Sequence, residues 1–212
     1  MKTARLYAIL DLGYVSIGNA ARVTAELLEG GADILQLRAK NHDTATIRRV
    51  AETLVPLCKV AGVPFILNDY PELAAELGAD GVHIGQDDGP LSHARKIIGP
   101  GKLIGRSTHS LDQARAALAE GFDYIGFGPL FPTPTKPGRP GIGLQDIAAM
   151  ELNVGSKIPA FCIGGIKRAN LREVLAAGAR RVVIVSDLLA APDVCAATRE
   201  ARGIVLGATA GN

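Results

Sequence analysis

The chain contains no tryptophan, and only five phenylalanines and four tyrosines stand among its 212 residues. With 4% aromatic but 48% hydrophobic residues, its core has to be filled by Val, Ile, Leu and Ala packed between helices and strands, which favours an α/β architecture over an all-β sandwich. Cysteine is scarce as well. Cys58, Cys162 and Cys195 lie at long, irregular spacings with no CxxC pair, which argues against a disulfide framework or a zinc site and for small thiols in a reducing compartment. No apolar run approaches the ~20 residues needed to cross a bilayer. Met1-Lys2-Thr3 leads straight into an apolar segment, so a soluble, cytoplasmic protein without a membrane partner is expected. A strong charge of one sign is also missing. The formal net charge is +2, and Lys and Arg are scattered without interleaved aromatics, so no nucleic-acid surface is expected and any cationic function must be local.

What is present is a repeat. Strand-sized apolar runs fall at about residues 6–11, 33–38, 64–68, 81–85, 103–107, 123–128, 160–163 and 181–185, with helix-compatible segments between them. Eight such units predict a single-domain (β/α)8 TIM barrel over residues 1–206. Folding at this length buries roughly 70–75% of the extended-chain surface. Residues 207–212 lack large apolar anchors and are expected to form a frayed tail. Four strands are entered through a similar phrase, Gly31-Ala32-Asp33, Gly78-Ala79-Asp80, Gly121-Phe122-Asp123 and Gly178-Ala179-Arg180, in which the Gly suits a left-handed helix exit. Helices are predicted over Ala20 to Leu28, over Ala45 to Val60 with a kink or break at Pro56, and from Leu111 after a Ser110 cap. The closely spaced Pro and Gly of residues 129–143 predict an irregular loop of the kind that serves as a lid.

The strands end on residues that do chemistry, and in a parallel barrel all those ends share one face. Asp69 and Asp88 each follow a strand, one unit apart, and two such carboxylates suit Mg²⁺. The alternatives are solvated loop carboxylates or helix caps, and Asp87 rivals Asp88 because strand alternation sends the two in different directions. Gln36, Arg38 and Lys40 fall on one period-two row if the strand continues that far. Arg provides a fork for phosphate oxygens, Lys a point charge, and Gln a donor and acceptor for a heterocycle edge. Lys136 adds a third cation, beside Thr133 and Thr135. Gly164-Gly165 after the seventh strand and Val185-Ser186 after the eighth occupy the positions where barrels of this class bind phosphate through backbone amides. His83 reads as a barrel-packing residue, His42 and His93 as solvent residues, and His109 as a neighbour of the site.

The ordered set Gln36-Leu37-Arg38-Ala39-Lys40, Asn68-Asp69, Gly81 to Asp88, Gly105-Arg106-Ser107, Gly128 to Lys136 and Ile163-Gly164-Gly165-Ile166 closely resembles the thiamine phosphate synthase family over nearly the whole chain. The resemblance implies a transferase that joins 4-amino-2-methyl-5-hydroxymethylpyrimidine diphosphate to 4-methyl-5-(2-hydroxyethyl)thiazole phosphate, releasing diphosphate. It implies small-molecule partners, leaves a homo-oligomer open, and makes Mg²⁺ the cofactor, held by Asp69 and Asp88. Arg38, Lys40, Ser107 and Lys136 become the catalytic groups, binding diphosphate together with Asn68. Gln36 contacts the pyrimidine, and Thr133, Thr135, Gly165, Val185 and Ser186 hold the thiazole phosphate. Three residues depart from the family pattern: Ala39 stands where an acid is frequent, Arg106 where a smaller residue is common, and Asp187 where Ala is usual. A carboxylate at 187 facing a phosphate would repel it, unless it points away or caps the next helix. The nearest rivals are the sister thiazole tautomerases, which use a His where this chain has Pro129, and a catalytically silent binder of thiamine intermediates.

Overall fold

Apolar runs of three to six residues, each followed by a helix that covers its outer face, close into a ring when every strand pairs in parallel with the next. The computed structural model describes residues 1–133 and 140–209. Its strands are β1 (Leu6–Asp11), β2 (Ile34–Arg38), β3 (Phe65–Asn68), β4 (Gly81–Ile84), β5 (Leu103–Thr108), β6 (Tyr124–Phe127), β7 (Ala160–Cys162) and β8 (Val182–Ile184). They form a closed barrel in sequence order, with β8 returning to pair with β1. Around it lie α1 (Ala20–Glu29), α2 (Thr44–Ala61), α3 (Pro71–Glu76), α4 (Leu91–Ile98), α5 (Leu111–Glu120), α6 (Ile147–Met150), α7 (Leu171–Ala176), α8 (Ser186–Leu189) and α9 (Val194–Thr209). The expected (β/α)8 barrel is the observed fold. No helix among the described residues is long and apolar enough to cross a membrane.

The repeated Gly-x-Asp phrase has a mechanical role. All four glycines adopt left-handed backbone, with φ of 95°, 67°, 91° and 108°, the conformation that turns a helix exit into a strand at least steric cost. The Asp two residues later then binds the start of the preceding strand. Asp33 accepts from the amides of Arg5 and Leu6, Asp80 from that of Phe65, and Asp123 from that of Ile104. In the fourth phrase Arg180 replaces the Asp, and a carboxylate is supplied from elsewhere: Glu151 accepts from the Arg180 amide.

Glu151 is 5% exposed and its Oε2 has no hydrogen-bond partner. Burial pushes its carboxyl above the usual range, against smaller opposing effects of the Arg180 amide and of Arg181, Arg180 and Arg5. A carboxyl whose pKa rises on folding binds more protons folded than unfolded. Its stabilising contribution is therefore present below the unfolded pKa and lost as pH rises through the folded one. Glu151→Gln is expected to melt above the wild type near pH 8, with the difference vanishing below about pH 4; parallel melting curves across that range would refute the assignment.

The expectation of a break at Pro56 needs correcting. Helix α2 runs unbroken through Pro56, between the Asp43 cap and a left-handed Gly62. Pro56 deprives the Glu52 carbonyl of its donor, but both residues are exposed, so water can satisfy it. Helix α9 runs to Thr209, with fully buried Val205 one turn upstream; residues 210–212 of the expected 207–212 tail lie outside the described residues.

Three of the nine aromatics lie inside the barrel, where aliphatic packing was expected. Tyr7, Tyr124 and Phe161 fill the barrel interior with Ile9, Ile34, Ile66 and Val183. Phe161 meets both tyrosines edge-on, at 5.3 Å and 6.1 Å between ring centroids, a favoured aromatic geometry. Gly105 makes room for this: a Cβ there would collide with the Tyr124 ring.

Candidate active site

Strand alternation sends every second residue inward, and at the C-terminal ends of the strands these residues line one cavity. Gln36 and Arg38 enter it from β2, Asn68 from β3, His83 from β4, Ser107 from β5, and Gly165, Val185 and Ser186 from the segments after β7 and β8. Thr133 also lines it, whereas Thr135 and Lys136 lie outside the described residues. Lys40, Asp69 and Asp88 stand beside the cavity wall rather than in it. Strand β2 stops at Arg38, so Lys40 shares no strand row with it and instead reaches across to Asp69, Nζ to Oδ2 at 3.1 Å.

Asp69 has φ of 68°, a left-handed conformation that costs a non-glycine residue about 1–3 kcal/mol and is held only where its surroundings demand it. Its amide donates to the His83 carbonyl at 2.9 Å. Burial pushes the Asp69 carboxyl up; Lys40 pulls it down, and the neighbouring Asp88 pushes it up again. Asp88 is therefore near enough to act on the Asp69 carboxyl. Asp88 is set by a turn, its Oδ2 accepting from the Gly85 amide at 2.6 Å. Strand β4 ends at Ile84, so strand alternation does not govern Asp87 and Asp88.

Arg38 is held by a residue the sequence reading passed over. Asp11, at the end of β1 and 3% exposed, accepts from Arg38 Nη1 at 2.5 Å. Such a pair directs the guanidinium fork while balancing a buried charge. Arg106 points outward from β5, lies over the Phe122 ring at 5.3 Å and donates to the carbonyls of Gly89 and Gln86, bracing the turn that carries Asp88. Asp187 does not line the cavity. It accepts from the Arg168 amide and Nε at 3.0 Å and 2.9 Å, so its charge is spent outside the pocket and the feared repulsion does not arise.

Several lining residues were missed. Tyr7, Ile9, Tyr124, Ile125 and Phe161 all face the cavity, and His83 is no mere packing group, since its ring nitrogens contact Tyr124 and Ser107. The period-two row that selected Gln36 and Arg38, extended to β1, β4 and β6, contains Tyr7, His83 and Tyr124. Burial pushes the Cys58 thiol up to about 12 and Cys162 higher still, so neither presents a thiolate near neutral pH.

This arrangement of polar side chains at the strand ends of a closed parallel barrel has counterparts. A family model for thiamine monophosphate synthase matches residues 6–188. The chain belongs to that family. Within it, the thiamine-phosphate synthase of Thermus thermophilus is 47% identical over 184 residues, covering 87% of this chain and 88% of its own. That of Chloroflexus aurantiacus is 43% identical over 95% of this chain and 92% of its own. The solved thiamine phosphate pyrophosphorylase of Pyrococcus furiosus superposes with a TM-score of 0.86 at 35% identity, covering 97% of this chain and 96% of that one. A 3-hexulose-6-phosphate synthase, at 19% identity and a TM-score of 0.68, shares the fold alone.

Proposed function

We propose that this member of the family condenses 4-amino-2-methyl-5-hydroxymethylpyrimidine diphosphate with 4-methyl-5-(2-hydroxyethyl)thiazole phosphate, using Mg²⁺ held by Asp69 and Asp88. The observation that carries the residue assignment is the division of one cavity: Gln36, Arg38, Asn68 and Ser107 on the β2 to β5 side, Gly165, Val185 and Ser186 on the β7 to β8 side. The first group takes the pyrimidine and its diphosphate, with Lys40 and Lys136 as further cations; the second, with Thr133 and Thr135, takes the thiazole phosphate.

The donor set suits the ion. Two carboxylates close enough to perturb each other match Mg²⁺, which keeps most of its sphere for water and phosphate oxygens. When bound, Mg²⁺ neutralises charge on the leaving diphosphate. The protein's own groups do the rest. Heterolysis of the methylene C–O bond sends the electron pair out with diphosphate, where Arg38, Lys40 and Ser107 stabilise the developing charge. The aminopyrimidine delocalises the resulting cation, and the thiazole nitrogen lone pair closes the C–N bond. Ile9, Ile125, Phe161 and Ile163 in the wall keep water from capturing the cation. No protein nucleophile is required, consistent with the unactivated thiols.

A paired assay tests this. Both substrates with Mg²⁺ are expected to yield thiamine phosphate and diphosphate, and chelation to reduce product to background. Equal rates with chelator present would remove the metal role. Isomerisation of a carboxythiazole phosphate without condensation would replace the reading with the tautomerase one; Pro129, which lines the cavity, has no side-chain proton to serve that reaction.

A further inference from the structure

A chain of hydrogen bonds runs through the barrel interior from β2 to β5 and joins two residues of the same side of the pocket. Gln36 Nε2 donates to the Tyr7 hydroxyl at 2.9 Å, the Tyr7 and Tyr124 hydroxyls lie 3.2 Å apart, the Tyr124 hydroxyl is 3.2 Å from His83 Nδ1, and His83 Nε2 is 3.0 Å from Ser107 Oγ. Gln36, Tyr7 and Tyr124 are at most 2% exposed and Ser107 is 9% exposed, and burial raises both tyrosines above the ordinary phenol range. Each hydroxyl therefore keeps a single proton to donate.

Single protons give the chain a direction. Tyr7, accepting from the Gln36 amide, passes its own proton towards Tyr124, and Tyr124 passes its proton to His83 Nδ1. Neutral His83 then carries its proton on Nε2 and donates to Ser107 Oγ. The Ser107 proton is left for the cavity. Turning the Gln36 amide over, so that its oxygen accepts from Tyr7, reverses every link, and Ser107 would spend its proton on His83 Nε2.

We infer that Tyr7, Tyr124 and His83 are positioning residues that couple pyrimidine recognition at Gln36 to the hydrogen-bond donor at Ser107. The coupling rests on the substrate assignment above. An aminopyrimidine whose exocyclic amine donates to Gln36 Oε1 holds Nε2 towards Tyr7 and so commits Ser107 Oγ–H to the departing diphosphate. Occupation by the correct base thus prepares the leaving-group site, an economy of preorganised donors. Phe161, edge-on to both tyrosines, and Gly105, under the Tyr124 ring, keep the rings in line.

Two experiments decide it. Nitrogen NMR of the four histidines at pH 8, in the resting protein and with 4-amino-5-hydroxymethyl-2-methylpyrimidine, is expected to show His83 protonated on Nε2 and bare on Nδ1, with the signal assigned by its loss in His83→Gln. Protonation on Nδ1 with the pyrimidine bound would overturn the inference. The second is a double-variant cycle. Ser107→Ala is expected to lower kcat by about 10²-fold, and Tyr124→Phe, which keeps the ring, to lower kcat with the KM for thiazole phosphate unchanged. Together they should cost at least about fivefold less than the product of the two. Simple multiplication would overturn the coupling while leaving the substrate assignment intact. Absence of any condensation would remove that assignment instead, and the tautomer would still be readable.

Discussion

Asp88→Ala is expected to lower kcat for thiamine phosphate formation by roughly 10²–10³-fold, the range found when one group that stabilises developing charge is removed. Excess Mg²⁺ should restore little of it. Stability should barely change. Asp88 is exposed, its carboxylate accepts from the amide of Gly85, and its charge works against ionisation of Asp69. Removing it relieves that repulsion, and water can reach the freed amide. A melting temperature within about 2 °C of wild type is the expected result, typical of substitutions at exposed sites. Asp87→Ala, one residue earlier on the same turn, should leave turnover within a few-fold of wild type. Binding of Mn²⁺ with pyrophosphate, followed by electron paramagnetic resonance, separates loss of the metal from loss of the fold. Near-normal turnover in Asp88→Ala, or a comparable defect in Asp87→Ala, would end the assignment of Asp69 and Asp88 as the metal pair.

Arg38→Ala should fail in two ways at once. The side chains of Arg38 and Asp11 are 15% and 4% exposed, so truncation leaves a buried carboxylate without its guanidinium. Breaking such a pair costs about 3–5 kcal/mol, which for a chain of this size lowers the melting temperature by roughly 10 °C. Activity should fall as well, because the fork proposed to bind diphosphate is gone. Adding Asp11→Ala removes the orphaned charge and should recover much of the stability, since replacing both members of a buried pair is far milder than removing one. Turnover should stay low in the double variant. Its recovery alongside stability would show that Arg38 only holds the barrel together.

The Arg38 and Asp11 pair illustrates how legibility divided. Arg38 stood out in the sequence because it shares a period-two row with Gln36, and the row is a local property of a strand. Asp11 lies 27 residues away, on the neighbouring strand, and the two become partners only through the register in which Asp11 sits opposite Arg38. The same holds for Asp187, whose neighbour along the chain is Ser186 but whose partner is Arg168. Lys40 was placed on a strand row that ends before it, yet the loop still delivers it to Asp69. Asp87 and Asp88 were weighed by strand alternation, when the chain had already turned.

From the sequence alone came the eight-unit repeat, the four left-handed glycines that lead into strands, the family, and the polar residues at the strand ends, because all of these depend on short-range periodicity and local backbone preference. Tertiary structure decided which carboxylate lies near enough to act on Asp69, which charges are already paired, and that two tyrosines and a histidine join Gln36 to Ser107 beneath the pocket. Those depend on closure of the barrel, which brings side chains from separate strands within hydrogen-bond reach and removes water, so that burial and direction acquire energetic weight.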